Sequence, residues 1–241
     1  MAISDNKTLY FDRATRTKQT QIINALAHAT YHSKGNKNDI IKNLGIYLDN
    51  LSDRGKGVYG KYPNKIKNQF MSKYTLGLEF GVWKYIDREN MILTDLAVKM
   101  VEEKITPEYY ISNVLLNYYQ IIDNNVVNPL YSTLLFMDRT SKSVLYKEDI
   151  NNIEEFNLDK EERDNRNIWY HILGETVFFN KSNYDDELIW NSKLFNMNEV
   201  IDRCNTNLLF LDNKVVREEY SDQKFYAEYI TQNNKLMEEM H

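Results

Sequence analysis

The sequence predicts an α+β fold that is mainly helical and carries small β-hairpins. Apolar residues recur at helical spacing along most of the 241 residues, and two pairs of short apolar runs flank polar turns. With eight glycines and three prolines, few positions interrupt a helix. Apolar residues make up 42% and charged residues 27% of the chain, which is typical of a globular protein without a membrane-spanning helix. The polar N-terminus and the single cysteine, Cys204, favour a cytoplasmic protein without disulfides.

The first two predicted helices are amphipathic. Residues 16–31 carry apolar side chains at helical spacing, and the polar turn 33–38 follows them. Asn38 or Asp39 is expected to cap the second helix, whose apolar face extends to Leu51.

A third helix and a hairpin are predicted next. Pro63 suits the beginning of a helix over residues 64–76, and Gly77 suits its C-terminal end. The runs VWKYI (82–86) and MILT (91–94) are separated by four polar residues, which predicts two antiparallel strands. The threonine of MILT is expected to cap a fourth helix.

Basic charge is concentrated in the first third of the chain. Residues 1–78 contain 13 Lys and Arg against 5 Asp and Glu, whereas the remainder contains 17 basic and 30 acidic side chains. A basic region of this kind can displace counterions from phosphates even though the whole chain carries a net charge of −5. The asymmetry favours a polyanionic partner for the first part, and a chance concentration of solvated lysines is the alternative.

Three helices followed by a hairpin are the element order of a winged helix-turn-helix. In that fold the third helix enters the major groove and the hairpin lies against the DNA backbone. Asn and Gln suit adenine there and Lys and Arg suit guanine. The glycine-rich segment SDRGKGVYGKYPN (52–64) can approach phosphates closely. The predicted DNA-binding residues are Arg16, Lys18, Arg54, Lys56, Tyr59, Lys61, Asn64, Lys65, Lys67, Asn68, Gln69 and Lys73.

Three stretches resemble parts of a known group of enzymes. They are FDRATRTKQTQIINALAHAT (11–30), YTLGLEFGVWKYIDRENMILTDLAVKMVEEKITPEYYISNVLLNYY (74–119) and VNPLYSTLLFMDRTSKSVLYKEDINNI (127–153). They are similar to the DNA-recognition regions of type II restriction endonucleases, including type IIS enzymes. The resemblance implies sequence-specific binding of double-stranded DNA through a winged helix. The chain would then be a recognition module of a restriction-modification or phage-defence system, or a regulator.

The chain is divided into three predicted parts: a basic winged-helix domain (1–124), a second winged-helix-like domain (125–213) and a C-terminal helix (214–241). The second domain is expected to contain helices over 129–138 and 146–156, a helix that starts in the acidic run 158–166, and a hairpin formed by TVFF (176–179) and ELIW (187–190). Its negative charge favours a structural or protein-binding role. The C-terminal helix either covers the core or pairs with its copy in a homodimer.

No catalytic residue, metal site or cofactor is predicted. The only Glu-x-Lys sequence, EEK (102–104), ends a predicted helix, where a lysine complements the helix dipole. The acidic run DDE (185–187) lies at a predicted turn. His28 and His32 share a helix face but lack the glutamate of a zincin motif.

Two other functions remain open at this point. The acidic C-terminal half suits an anti-defence or inhibitor type of protein that binds a protein partner. A magnesium-dependent DNA endonuclease is the further alternative, in which the DDE run supplies metal ligands. Whether the chain is an enzyme is undecided, and a non-catalytic binding module is favoured.

Overall fold

A computed structural model of the chain describes residues 5–11, 19–51, 74–85, 90–159, 163–182, 184, 186–212 and 229–230. Within these ranges the chain consists of helices and three small β-sheets, so the predicted α+β class is confirmed. No helix among the described residues is long and apolar enough to cross a membrane.

The helices and strands alternate in short groups along the chain. The helices are α1 (Gln19–His32), α2 (Lys37–Leu51), α3 (described over 74–79), α4 (Asp95–Val101), α5 (Pro107–Asn117), α6 (Pro129–Arg139), α7 (Asp164–Leu173) and α8 (Met197–Asp212). The strands are β1 (Asp5–Asn6), β2 (Trp83–Tyr85), β3 (Met91–Leu93), β4 (Gln120–Ile122), β5 (Asn125–Val127), β6 (Val144–Tyr146), β7 (Phe179–Lys181) and β8 (Glu187–Trp190). Two 3₁₀ helices, Lys147–Asn152 and Glu154–Phe156, lie between β6 and α7.

The first group of elements, which we call the first unit, comprises α1 to α4. Its two strands, β2 and β3, form the predicted antiparallel hairpin. Asn36, between α1 and α2, forms an isolated antiparallel bridge with Asn90, the residue before β3. The N–H of Met91 also donates to the carbonyl of Gly35 at 2.8 Å. A short extended segment between the first two helices therefore borders the hairpin on the β3 side.

The second group, which we call the second unit, comprises α6 to β8. Its elements follow the same order as those of the first unit, namely a helix, an extended segment, further helices and a hairpin. Strand β6 follows α6, and the 3₁₀ helices, α7 and the hairpin β7–β8 come next. The three strands lie in the order β6-β8-β7, and both pairings are antiparallel. As in the first unit, the extended segment that follows the first helix pairs beside the last strand of the hairpin.

A third sheet, which the sequence analysis did not predict, combines a hairpin that lies between the two units along the chain with a strand that precedes the first unit. Strands β4 and β5 form a tight hairpin, and β1 pairs with β4 in parallel. Asp123 and Asn124 form its two-residue turn with positive φ angles, a conformation that Asp and Asn tolerate better than most residues. The predicted domain boundary after residue 124 lies in this turn.

The predicted caps of two helices are wrong. The side chain of Asn36 caps α2, because its Oδ1 accepts from the backbone N–H groups of Asn38 and Asp39 at 3.1 and 3.2 Å. Helix α3 continues past Gly77 to residue 79. Its end is a Schellman motif in which Gly81 adopts a φ of +66°.

Most of the predicted third helix (64–76) lies outside the described residues, and only 74–76 are described, in α3. The helix predicted over 146–156 is instead two 3₁₀ helices, and the strand predicted at 176–179 begins only at Phe179. Other predicted elements form with shifted bounds. Thr94 caps α4, since its Oγ1 accepts from the N–H of Ala97 and donates to the carbonyl of Gly81 at 2.6 Å. Helix α6 forms where 129–138 is predicted. The acidic run contributes only its last residues to α7, which begins at Asp164. Of the predicted C-terminal helix (214–241), only residues 229–230 are described, so that prediction is not tested.

Candidate nucleic-acid interface

The twelve predicted DNA-binding residues all lie outside the described residues. Arg16 and Lys18 fall in the segment 12–18, and the other ten fall in 52–73. The structure does describe the elements that flank both segments. The described neighbours are α1, which follows the segment 12–18, and α2 and α3, which flank the segment 52–73.

The beginning of α1, directly after Lys18, is attached to the second unit by Glu175. One carboxylate oxygen of Glu175 accepts from the N–H of Gln19 at 3.1 Å, and the other accepts from the N–H and the Oγ1 of Thr20 at 2.7 and 2.8 Å. Gln19 and Thr20 are buried. A carboxylate at this position satisfies N–H groups that have no partner within the helix and complements the helix dipole.

The segment 52–73 is followed by α3, which packs tightly on the hairpin. Tyr74 stacks on the indole of Trp83 with ring centroids 5.7 Å apart. The indole Nε1 donates to the Oγ1 of Thr30 in α1 at 2.8 Å. A Cβ atom on Gly77 would lie 2.3 Å from the Trp83 ring, so only glycine allows this approach of helix and strand. The described part of α3, directly after the basic segment, is thus packed against β2, which is itself bonded to α1.

The outer face of the hairpin β2–β3 is mixed in character. Lys84 and Ile92 lie opposite each other on it, and Lys84 forms an ion pair with Asp95 at 3.3 Å. Ile92 is 48% exposed. A lysine beside an exposed apolar side chain can lie against a sugar-phosphate backbone, although the paired Asp95 reduces its net charge.

The two histidines of α1 form an aromatic cluster with α2. The rings of His28 and His32 stack at 6.2 Å, and Tyr47 stacks on both at 5.8 and 6.5 Å. Burial and the neighbouring His32 lower the pKa of His28, while Glu103 acts in the opposite direction. The cluster is a packing feature between α1 and α2. Among the described residues, no group of three or more His, Cys, Asp or Glu side chains is arranged to hold a metal ion.

Helix α7 is the counterpart of α3 in the second unit, and the N-terminal segment covers it. The N–H of Phe11 donates to Oδ1 of Asn165 at 3.1 Å, and the Phe11 ring stacks on Trp169 at 5.9 Å. Every residue of α7 is described, and only Asp164 is exposed. The helix therefore offers little surface to a partner.

The acidic run at residues 185–187 is engaged by a lysine. The Nζ of Lys147 lies 2.6 Å from Oδ1 of Asp186 and 5.0 Å from the ring centre of Tyr170. The hydrogen bond and the charge of Lys147 lower the pKa of Asp186. Cys204 is buried, and burial raises the pKa of its thiol, which disfavours the reactive thiolate.

No protein family model, curated protein or solved structure matches the chain. The sequence analysis did not anticipate the role of Glu175. A glutamate after the glycine that ends a helix resembles any exposed loop residue, and its partners lie more than 150 positions away.

Proposed function

We propose that the chain binds double-stranded DNA through a winged helix formed by its first unit. The observation that carries the proposal is the bridge between Asn36 and Asn90. It places one extended residue between α1 and α2 beside β3. Winged helix-turn-helix domains have a strand in this place and the same helix order, and their third helix and hairpin contact DNA, so the bridge supports the proposal.

The second unit supports the proposal by its topology. Its sheet has the order β6-β8-β7, so β6, which follows the first helix, pairs with the last strand of the hairpin. In the first unit the residue Asn36 pairs beside β3 in the same way. We therefore interpret the chain as two tandem winged-helix units. Because the segment around Phe11 covers α7, we assign DNA recognition to the first unit and a structural role to the second unit.

The charge distribution favours the same assignment. The long segment between α2 and α3 contains the glycine-rich run and most of the predicted contact residues, and it is strongly basic. In a winged helix this part of the chain leads into and forms the recognition helix. Such a surface binds phosphates by counterion release, so affinity should fall steeply as the salt concentration rises.

A recognition module of a restriction-modification or phage-defence system, or a regulator, is the cellular role that we propose for this DNA binding. The similarity of residues 74–119 to DNA-recognition regions of type II restriction endonucleases supports it.

Charge reversal in the predicted recognition helix tests the proposal. The double variant Lys65→Glu/Lys67→Glu should lose duplex binding in a low-salt gel shift by at least about tenfold, because two phosphate or base contacts become repulsive. The slope of log affinity against log salt should also decrease by about 2, since each phosphate contact contributes about 0.9.

A matched variant controls for the change in net charge. Lys181→Glu/Lys193→Glu makes the same change at two exposed lysines, one in β7 of the second unit and one three residues after β8. It should leave duplex binding within about twofold, because the second unit is not the DNA reader. Equal losses in both variants would contradict the assignment to the first unit. Absence of binding to any duplex at low salt would contradict DNA binding itself and favour a protein partner for the acidic half.

A further inference from the structure

Asn113 is a buried polar side chain whose hydrogen-bonding groups are unused. It lies in α5 and has no exposed surface. Neither its Nδ2 nor its Oδ1 has a hydrogen-bond partner among the described residues. Buried amides are nearly always satisfied by protein or by water, so an amide with two unpaired groups needs an explanation.

Asn113 also lines a cavity between the two units. The cavity has a volume of about 470 Å³ and lies between α4, the first half of α5 and the segment before β7. Leu96, Ile105, Tyr109 and Val177 give it apolar walls, and Lys99 and Lys104 supply cations. A volume of this size falls within the range of about 300–1,000 Å³ that is usual for small-ligand sites. One or two water molecules would occupy only a small part of it.

The segment before β7 is held in place against α5. The N–H of Val177 donates to Oγ of Ser112 at 2.9 Å, and that hydroxyl donates to the carbonyl of Glu108 at 2.7 Å. This wall of the cavity is therefore fixed by hydrogen bonds. A preformed wall reduces the ordering cost of binding a ligand.

We propose that this cavity binds a nucleoside monophosphate. The carboxamide of Asn113 presents a donor beside an acceptor, which matches the paired donor and acceptor on the edge of a nucleobase. Tyr109 and the aliphatic walls suit the faces of a planar base. The ammonium groups of Lys99 and Lys104 suit the phosphate.

Asn113 and the two lysines line the same cavity. Each amide atom of Asn113 is covered, so a base reaches the amide only after the side chain rotates, and among the described residues no hydrogen bond of the amide has to break for this rotation. Glu102 holds the ammonium of Lys104 at 2.6 Å. This ion pair positions the lysine and weakens its attraction for an anion, so affinity should be moderate.

Calorimetric titration of the full chain with AMP, GMP, CMP and UMP, each at up to millimolar concentration, tests the proposal. At least one nucleotide should bind, with inorganic phosphate binding at least about tenfold more weakly because it lacks the base. The side-chain amide resonance of Asn113 should shift on binding in a nitrogen-15 NMR spectrum.

Two variants locate the site. Asn113→Leu removes the amide at similar volume and should weaken nucleotide binding at least about tenfold. Asn117→Leu is the matched control, because Asn117 is a similarly buried amide one turn further along α5 that does not line the cavity. Neither of its amide groups has a hydrogen-bond partner in the part of the chain that the structure describes. It should bind the nucleotide as the unchanged chain does. Lys104→Glu changes an exposed residue, and it should weaken binding of the nucleotide but not of the free nucleoside.

Several results would overturn the proposal. They are the absence of binding by all four nucleotides, equal binding by inorganic phosphate, and unchanged nucleotide affinity in either Asn113→Leu or Lys104→Glu. Nucleotide binding that survives Asn113→Leu would belong to another surface, such as the basic segments of the first unit. A gel shift with Asn113→Leu distinguishes nucleotide binding in the cavity from DNA binding, because the duplex affinity of this variant should not change.

Discussion

Glu175 attaches the beginning of α1 to the second unit, so its substitution should lower the stability of the chain. Glu175→Gln keeps the size of the side chain, removes its charge and replaces one acceptor oxygen by an N–H donor. The three hydrogen bonds to Gln19 and Thr20 then cannot all form. At least one buried donor loses its partner, whichever way the amide is turned.

The expected loss of stability follows from these contacts. A buried donor without a partner costs about 1–3 kcal/mol. Loss of a negative charge at a helix N-terminus adds about 0.3–1 kcal/mol. The free energy of unfolding should therefore fall by about 1–4 kcal/mol. For a chain of this length, each kcal/mol lowers Tm by about 2–4 °C, so Tm should fall by roughly 3–16 °C.

Thermal melting followed by circular dichroism measures this change. The control is Glu155→Gln, the same substitution at an exposed glutamate of the second unit, which should stay within about 0.5 kcal/mol of the unchanged chain. A double-mutant cycle with Thr20→Val should give a coupling energy of at least about 0.5 kcal/mol. The reasoning is refuted if Glu175→Gln melts like Glu155→Gln, or if its effect simply adds to that of Thr20→Val.

Two further changes test the packing of the first unit. Gly77→Ala should lower the free energy of unfolding by about 1–3 kcal/mol in a urea titration, because its Cβ would overlap the Trp83 ring. The control is Gly174→Ala, whose Cβ would meet the flexible end of Lys181 at 3.1 Å, and it should lower the free energy of unfolding clearly less. Equal losses in the two variants would contradict this packing argument. His28 has a lowered pKa when folded, so the unfolded chain binds more protons near the ordinary value of 6.5, and stability should decrease as the pH falls through and below that value. His28→Gln should make the pH dependence between pH 7 and 5 shallower, and an unchanged dependence would show that this histidine does not contribute to it.

The local elements could be predicted from the sequence because their signals lie within a few residues. The period of apolar residues predicts α1, α2, α4 and α6, and polar turns between short apolar runs predict the hairpins β2–β3 and β7–β8. The cap of α4 at Thr94 is equally local, since the side chain and the N–H that it accepts from are three residues apart.

The end of α3 shows where local signals become ambiguous. Gly77 and Gly81 both suit a helix end, and the sequence analysis chose the first. The choice depends on Trp83, whose ring needs the space above Gly77 and leaves the positive φ angle to Gly81. A small residue required for packing and a small residue required for backbone conformation look the same in a sequence.

The sequence by itself determined the class of fold, most of the described helices, two of the hairpins and the uneven distribution of charge, because periodicity, turns and composition are properties of neighbouring residues. Only the tertiary structure decided that Glu175 caps α1, that β1 joins β4 and that Phe11 covers α7. It also decided that Asn113 is buried beside a cavity with no hydrogen-bond partner for its amide within the described ranges. The physical reason is that each of these features depends on groups from distant parts of the chain, or on the packing around them, and no local pattern specifies such partners.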